Sequence, residues 1–166
     1  MKYFTTIKRE SFLTLSFIFL ISILFSSCVS KTYVPEIPNE LESEAVYTFG
    51  DFTYKCKVLK ADDYVSVEVL DTKAKGLKIK CDGKTVCFTQ WSFEKVFPVE
   101  KIDVTNPAVV LFNVFSTLES AQVTMNDGSY YFTSKIPAGT YTLIMSKANK
   151  IISVSVPESK IYIEFY

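Results

Sequence analysis

From Phe52 to Tyr166, apolar and polar residues alternate over a series of short segments. The stretches "FTYKCKV" and "YVSVEVL" show the pattern clearly, with apolar residues at every second position from 52 and from 65. Because successive side chains of a β-strand point to opposite faces, a period of two is typical of strands with one buried face. The sequence therefore predicts a mainly β (α+β) fold built from antiparallel strands.

The segment "GLKIKCDGKTVCF" predicts a β-hairpin. A type I′ turn centred on Asp82-Gly83 would place Cys81 opposite Lys84. This register collects the apolar residues of both strands on one face, and a slip of one residue would mix the two faces.

The second half of the chain predicts two more hairpins and a closing strand. In "AQVTMNDGSYYFTSK" a turn at Asp127-Gly128 would pair Met125 with Tyr130. The turn "KANK" would join "GTYTLIM" to "IISVSV", with Ile152 on the same face as Val154, and "KIYIEFY" alternates as the last strand.

One helix interrupts the strands at "NPAVVLFNVFSTLES". Asn106 suits the N-cap, and Pro107 suits the first helical position because its missing N–H costs nothing there. Apolar residues cover more of the circumference than a surface helix needs. We expect a buried helix over about 106–119 that packs across the sheet.

The N-terminus reads as a signal peptide. The first ten residues contain three basic residues, Lys2, Lys8 and Arg9, and one acidic residue, Glu10, and residues 11–29 carry no charge. The strongly apolar part of this run is about 14 residues long, whereas a membrane-spanning helix needs about 20. A signal peptide is therefore favoured over a permanent membrane span.

The segment "LFSSC" resembles the lipobox of bacterial lipoproteins, with Leu24, Phe25, Ser26 and Ser27 as signal-peptidase recognition residues before Cys28. The resemblance implies a lipoprotein signal peptide over 1–27 and a diacylated Cys28 as the first mature residue. Two acyl chains anchor a protein stably to a bilayer. We expect an extracytoplasmic protein anchored to the bacterial cell membrane by its N-terminal lipid; the alternative is an uncleaved anchor with a chance cysteine.

The residues behind Cys28 predict a tether and then one domain. The segment "VSKTYVPEIPNELESE" contains two prolines, five charged residues and no sustained apolar periodicity. It therefore buries too little apolar surface to order itself. We assign 28–44 to the lipidated N-terminus and a flexible tether. Residues 45–166 are long enough for a single β-rich domain.

Composition argues against several function classes. The chain contains no histidine, which removes Ser-His-Asp and Cys-His catalysis and every His-containing metal site. Removal of 1–27 takes three of 18 basic and one of 18 acidic residues, leaving 15 and 17. This balance gives no electrostatic footprint for nucleic acid. We expect no catalytic residues, no metal and no cofactor.

Three cysteines fall within the predicted domain: Cys56, Cys81 and Cys87. Cys56 and Cys81 lie on apolar faces, whereas Cys87 lies on a polar one. The alternatives for Cys56 and Cys81 are buried free thiols or a single disulfide between them.

The order of strands, buried helix and further strands behind a lipobox resembles the LolA/LolB-like lipoprotein carriers. The matching stretches are "YTFGDFTYKCKV", "GLKIKCDGKTVCF", "NPAVVLFNVFSTL" and "KIYIEF". The resemblance implies a strongly curved sheet or incomplete β-barrel, here of about eight to ten strands, around one buried helix and an apolar cavity. Inward-facing residues would line that cavity: Phe52, Tyr54, Val67, Ile79, Phe88, Leu111, Val114, Phe115, Leu118, Phe132 and Leu143.

Two functions follow from these observations. The favoured one is a non-catalytic accessory or interaction lipoprotein of the cell envelope, with the lipid bilayer and an envelope protein as partners. The alternative is binding or carriage of an apolar ligand, a lipid or a lipoprotein acyl chain, because aromatic residues on inward faces could build a concave pocket.

Overall fold

The computed structural model describes residue 35 and residues 37–166. The signal peptide, its recognition residues Leu24–Ser27, Cys28 and most of the predicted tether lie outside these residues. The described part contains one α-helix, α1 (Pro107–Thr117), and eleven strands. The strands are β1 (Leu41–Phe49), β2 (Phe52–Lys60), β3 (Val65–Val69), β4 (Lys78–Cys81), β5 (Thr85–Gln90), β6 (Phe93–Pro98), β7 (Gln122–Asn126), β8 (Ser129–Ile136), β9 (Gly139–Ser146), β10 (Ile151–Val156) and β11 (Ile161–Phe165).

All eleven strands form a single antiparallel sheet in the order β6-β5-β4-β3-β2-β1-β11-β10-β9-β8-β7. The sheet is open, because β6 and β7 are its edges. The predicted mainly β fold with one helix is thus confirmed. The sheet exceeds the expected eight to ten strands, because the sequence pattern indicated neither β6 nor β1.

Strand β1 begins at Leu41, inside the segment 28–44 that the sequence assigned to the tether. It pairs with β2 from Leu41 opposite Lys60 to Phe49 opposite Phe52. Its first residues, "LESE", are polar at three of four positions, so they carry no apolar period. Their order comes from pairing with β2 and from the Glu42–Lys57 ion pair, whose Oε1 and Nζ lie 2.5 Å apart.

Helix α1 begins at Pro107 and is capped by Asn106, as the sequence predicted. The Asn106 side-chain oxygen accepts hydrogen bonds from the backbone N–H of Ala108 (3.1 Å) and of Val109 (3.5 Å). The α-helix ends at Thr117 and continues as a single 3₁₀ turn, Leu118–Ser120. The helix packs on one face of the sheet against β3, β4 and β8, and this face holds the core.

The β4–β5 hairpin differs from the predicted register by two residues. Cys81 lies opposite Val86, and Gly83-Lys84 forms the centre of the turn. The Asp82 carboxylate accepts hydrogen bonds from the N–H of Lys84 (2.9 Å) and of Thr85 (2.6 Å), which places Asp82 before the turn. Gly83 has φ +83°, the first-position glycine typical of a type II′ turn. An even shift keeps each side chain on its face.

The β7–β8 hairpin has the predicted register, with Met125 opposite Tyr130. Between β9 and β10 the register shifts between Ile151 and Ser153. This bulge reverses the alternation, so Ile151 is buried and Ile152 is 39 % exposed. The prediction that Ile152 faces the core was therefore wrong.

Cys56 and Cys81 are buried free thiols. Cys56 lies opposite Val69 of β3, and Cys81 lies opposite Val65 of the same strand. The two cysteines are thus about 13 Å apart along the strand direction, with β3 between them. This spacing exceeds what a disulfide can bridge.

In the described part of the chain, no helix is long and apolar enough to cross a bilayer.

Candidate functional site

Most residues predicted to line an apolar cavity are instead packed into the core. Eight of the eleven are buried: Tyr54, Val67, Ile79, Leu111, Val114, Leu118, Phe132 and Leu143. They belong to one continuous cluster that joins α1 to the helix-side face of the sheet. These side chains form part of the core between α1 and the sheet.

The other three residues of that set lie at the margin of the core. Phe88 and Phe115 are partly buried against it. Phe52 is 57 % exposed, because it is the first residue of β2, beside the Gly50-Asp51 turn, and its ring contacts Tyr54 at a centroid distance of 5.7 Å. Phe52 therefore lies outside the buried core.

An open pocket of about 130 Å³ lies between α1 and the β2–β3 connection. It is lined by Lys60, Ala61, Asp62, Tyr64, Val65, Phe112, Phe115 and Ser116. Pockets that bury a drug-sized ligand are usually about 300–1,000 Å³. This pocket is smaller than that range, and Phe115 is its sole member from the predicted set.

A larger groove of about 430 Å³ lies on the opposite face of the sheet, over β4, β5 and β6. Its lining residues are Lys78, Lys80, Asp82, Thr85, Cys87, Thr89, Glu94 and Val96, and their apolar atoms contribute most of its surface. Cys87 is half-buried in this groove, and its Sγ lies 3.6 Å from the Thr89 hydroxyl.

The most unusual surface is the β5–β6 hairpin. Every residue of β6 is exposed, although the strand contains several large apolar side chains. The exposed fraction is 91 % for Trp91, 54 % for Phe93, 55 % for Val96 and 36 % for Phe97. We call Trp91 together with Phe93–Pro98 the β6 edge.

Trp91 occupies a conformation that its side chain disfavours. It is the first residue of the two-residue turn that joins Gln90 to Phe93, and its φ is +54°. A left-handed conformation costs an L-residue roughly 1–2 kcal/mol. Burial does not offset this cost, because the indole is almost fully exposed, and such strain is typical of functional positions.

The hydrogen-bond phase of the hairpin determines which backbone groups of β6 remain free. The Val99 N–H donates to the Lys84 carbonyl at 2.8 Å, and bonded pairs alternate along an antiparallel ladder. Phe93, Lys95 and Phe97 therefore bond to β5. Glu94 and Val96 direct both backbone polar groups away from the sheet.

The side chains of β6 divide between the two faces of the sheet. Phe97 lies opposite the buried Val86, and Lys95 lies opposite Phe88, so Phe93, Lys95 and Phe97 share the helix side. The Phe97 ring packs edge-on against Phe88 at 5.9 Å. Glu94 and Val96 lie on the other side, where they border the groove.

Groups with raised pKa values lie in the core, away from the β6 edge. Burial, with a smaller contribution from Asp71, raises the pKa of the Cys56 thiol from 9.0 to about 12. Burial also raises the pKa of Tyr47 well above its usual value, and the Tyr47 hydroxyl donates to the Thr105 carbonyl at 2.7 Å. The Tyr47 hydroxyl thus has a structural partner. Across residues 37–166, no three His, Cys, Asp or Glu side chains are grouped to hold a metal ion.

The sequence reasoning missed the β6 edge. The signal was available in "QWSFEKVFP", which contains four large apolar residues, Trp91, Phe93, Val96 and Phe97, among charged and polar ones. It was obscured because Trp-Ser is not a usual turn pair and because alternate positions hold apolar residues on both faces. The other predicted site residues, Leu24–Ser27 and Cys28, lie outside the described residues.

No protein-family model and no curated protein matches the chain. Solved structures similar to it include the following two. One is a LolA superfamily protein from Nitrosomonas europaea, with 10 % identity, a TM-score of 0.42, and coverage of 76 % of this chain and 69 % of that one. The other is a chain of the CwlD amidase complex with the GerS lipoprotein from Clostridioides difficile, with 15 % identity, a TM-score of 0.41, and coverage of 82 % and 83 %. At this similarity no functional residue carries over to this chain.

Proposed function

We propose that this chain is a non-catalytic, membrane-anchored extracytoplasmic lipoprotein that binds another cell-envelope protein through the β6 edge. The observation that carries the proposal is the exposure of Phe93, Val96 and Phe97 on one edge strand and of Trp91 in the turn that precedes it. Large exposed apolar patches on a folded domain usually mark interaction sites.

The composition of the β6 edge supports a protein partner. Tryptophan is among the residues that contribute most to binding energy at interfaces, and aromatic residues are enriched there. A free edge strand also aggregates unless it is covered or protected. Lys95 and Pro98 provide some protection, and a bound partner would cover the rest.

Carriage of an apolar ligand has less support. Eight of the eleven residues that would line its cavity are buried in the core, and the helix-side pocket measures about 130 Å³. The anchor rests on the "LFSSC" sequence, which would attach the domain to the membrane through Cys28 and the residues that precede β1.

Site-specific photocrosslinking in cells tests the proposal. A photoreactive phenylalanine analogue at Phe93 should give a discrete protein adduct, and the same analogue at Thr124, on the other edge strand β7, should not. The Trp91→Ala variant should reduce the Phe93 adduct at least tenfold. Equal labelling from both edges, or no protein adduct from Phe93, would refute the proposal.

A further inference from the structure

We infer that the partner binds as an extended segment that adds to β6 as a twelfth strand, with an acidic residue opposite Lys95 and apolar residues opposite Phe93 and Phe97. This inference rests on the proposed function and specifies the mode of binding. In strand addition, main-chain hydrogen bonds provide affinity and alternate side chains provide specificity.

The backbone of β6 is arranged for such pairing. Glu94 and Val96 direct their N–H and C=O groups outward, so an added antiparallel strand can form two pairs of hydrogen bonds. Pro98 follows in the same phase, and its lack of an N–H removes a donor only on the open side. The edge therefore offers a short ladder that ends at a proline.

The helix-side face of β6 specifies the side chains of the partner. Lys95 lies between two aromatic residues, and its Nζ is 5.7 Å from the Phe93 ring centroid. A residue directly opposite Lys95 would lie within about 5 Å, a distance at which opposite charges stabilise and like charges destabilise the pair. The residues two positions before and after it would contact Phe93 and Phe97. Charge complementarity thus favours an acidic residue flanked at both second neighbours by apolar ones.

Trp91 lies in the turn beside Phe93, at the end of the proposed added strand. Its indole Nε1 lies near Gly76, which precedes β4, 3.9 Å from where a Cβ on that glycine would be. A strand added next to Phe93 would change the surroundings of this exposed side chain. The same residue provides the signal for the test, because it is the single tryptophan of the chain.

The experiment uses the full chain in lipid nanodiscs and the seven-residue peptide TVTDTVT as the probe. The peptide places valine two positions before and after a central aspartate. We expect a saturable blue shift of the Trp91 emission, and at least tenfold weaker binding of the matched peptide TVTKTVT. Lys95→Glu should reverse this preference.

Val96→Pro separates strand addition from simple contact with the aromatic patch. It removes an outward N–H that β5 does not use, and proline is tolerated in that phase of an edge strand. We expect at least a tenfold loss of peptide affinity, whereas the matched control Met125→Pro, in the outward phase of β7, should bind normally. Circular dichroism melts of both variants should match those of the parent chain.

Several results would overturn the inference. These are equal affinity for the two peptides, unchanged binding by a folded Val96→Pro variant, and no shift with TVTDTVT. A concentration-dependent shift without peptide would indicate pairing with a second copy, and a shift on nanodiscs alone would indicate membrane contact. If the Phe93 adduct persists in cells while Val96→Pro leaves it unchanged, strand addition fails and the proposed function stands. If Phe93 gives no adduct, the proposed function itself fails.

Discussion

Replacing Trp91 tests whether strain is held at the tip of the β5–β6 hairpin. Trp91→Ala keeps a Cβ in the left-handed region, whereas Trp91→Gly removes it. The left-handed cost is roughly 1–2 kcal/mol for a residue with a Cβ, and glycine loses roughly 0.5–1 kcal/mol in backbone entropy. The glycine variant should therefore be about 0.5–1 kcal/mol more stable than the alanine variant.

The exposure of the indole determines how the stability of both variants compares with that of the parent chain. Because Trp91 is 91 % exposed, truncation removes only about 20 Å² of buried surface, worth about 0.5 kcal/mol. We expect Trp91→Ala to be slightly less stable than the parent and Trp91→Gly to equal or exceed it. Both variants should lose the Phe93 crosslink, so binding and stability should change independently.

Urea and thermal unfolding followed by circular dichroism provide the measurement, because both variants lack the fluorescent tryptophan. For a domain of this size, the free-energy difference corresponds to about 2–4 °C between the two variants. An alanine variant at least as stable as the glycine variant would show that the turn holds no left-handed strain. A large loss of stability in both would show that Trp91 supports the fold.

Further predictions concern the anchor, the turn and the thiols. Cys28→Ala should leave unprocessed precursor without acyl label, and a processed, acylated variant would refute the lipobox assignment. Gly83→Ala should cost about 2–4 kcal/mol in urea unfolding, because the added Cβ would lie 2.6 Å from the Phe112 ring at a φ of +83°; a neutral substitution would contradict this turn. In the native domain a maleimide should label Cys87 rapidly and leave Cys56 unlabelled until denaturation. The free energy of unfolding should fall as pH rises from about 9 towards 12. Unfolded Cys56 ionises in this range, whereas burial raises the pKa of the folded thiol to about 12 and keeps it protonated. An unchanged dependence of the unfolding free energy on pH in Cys56→Ala would contradict this cause.

The strands that the sequence predicted are those whose apolar residues lie on one face. In β11, Ile161, Ile163 and Phe165 alternate with exposed residues, and the structure buries all three. The helix was equally readable, because Asn106 and Pro107 mark its start by local chemistry. Such elements follow from side-chain period and capping alone.

The elements that were missed are ordered by pairing instead. The start of β1 is polar and is held by β2, and β6, which has apolar residues on both faces, is held by β5. The β4–β5 register depends on whether Asp82 is one of the two central turn residues or precedes them. The backbone N–H groups of Lys84 and Thr85 donate to its carboxylate, and these hydrogen bonds hold Asp82 before the turn. The sequence also indicates which residues face inward, but not how closely they pack.

The position of β1 has a mechanical consequence. This strand pairs with β2 on one side and with β11 on the other, so the chain that precedes Leu41 enters the middle of the sheet. A pull on that chain along the strand axis loads both ladders in shear, and many hydrogen bonds must break together. A pull on β6 would open its single ladder one pair at a time. A domain held in this way can bear load through its leading segment while the β6 edge remains free to exchange partners.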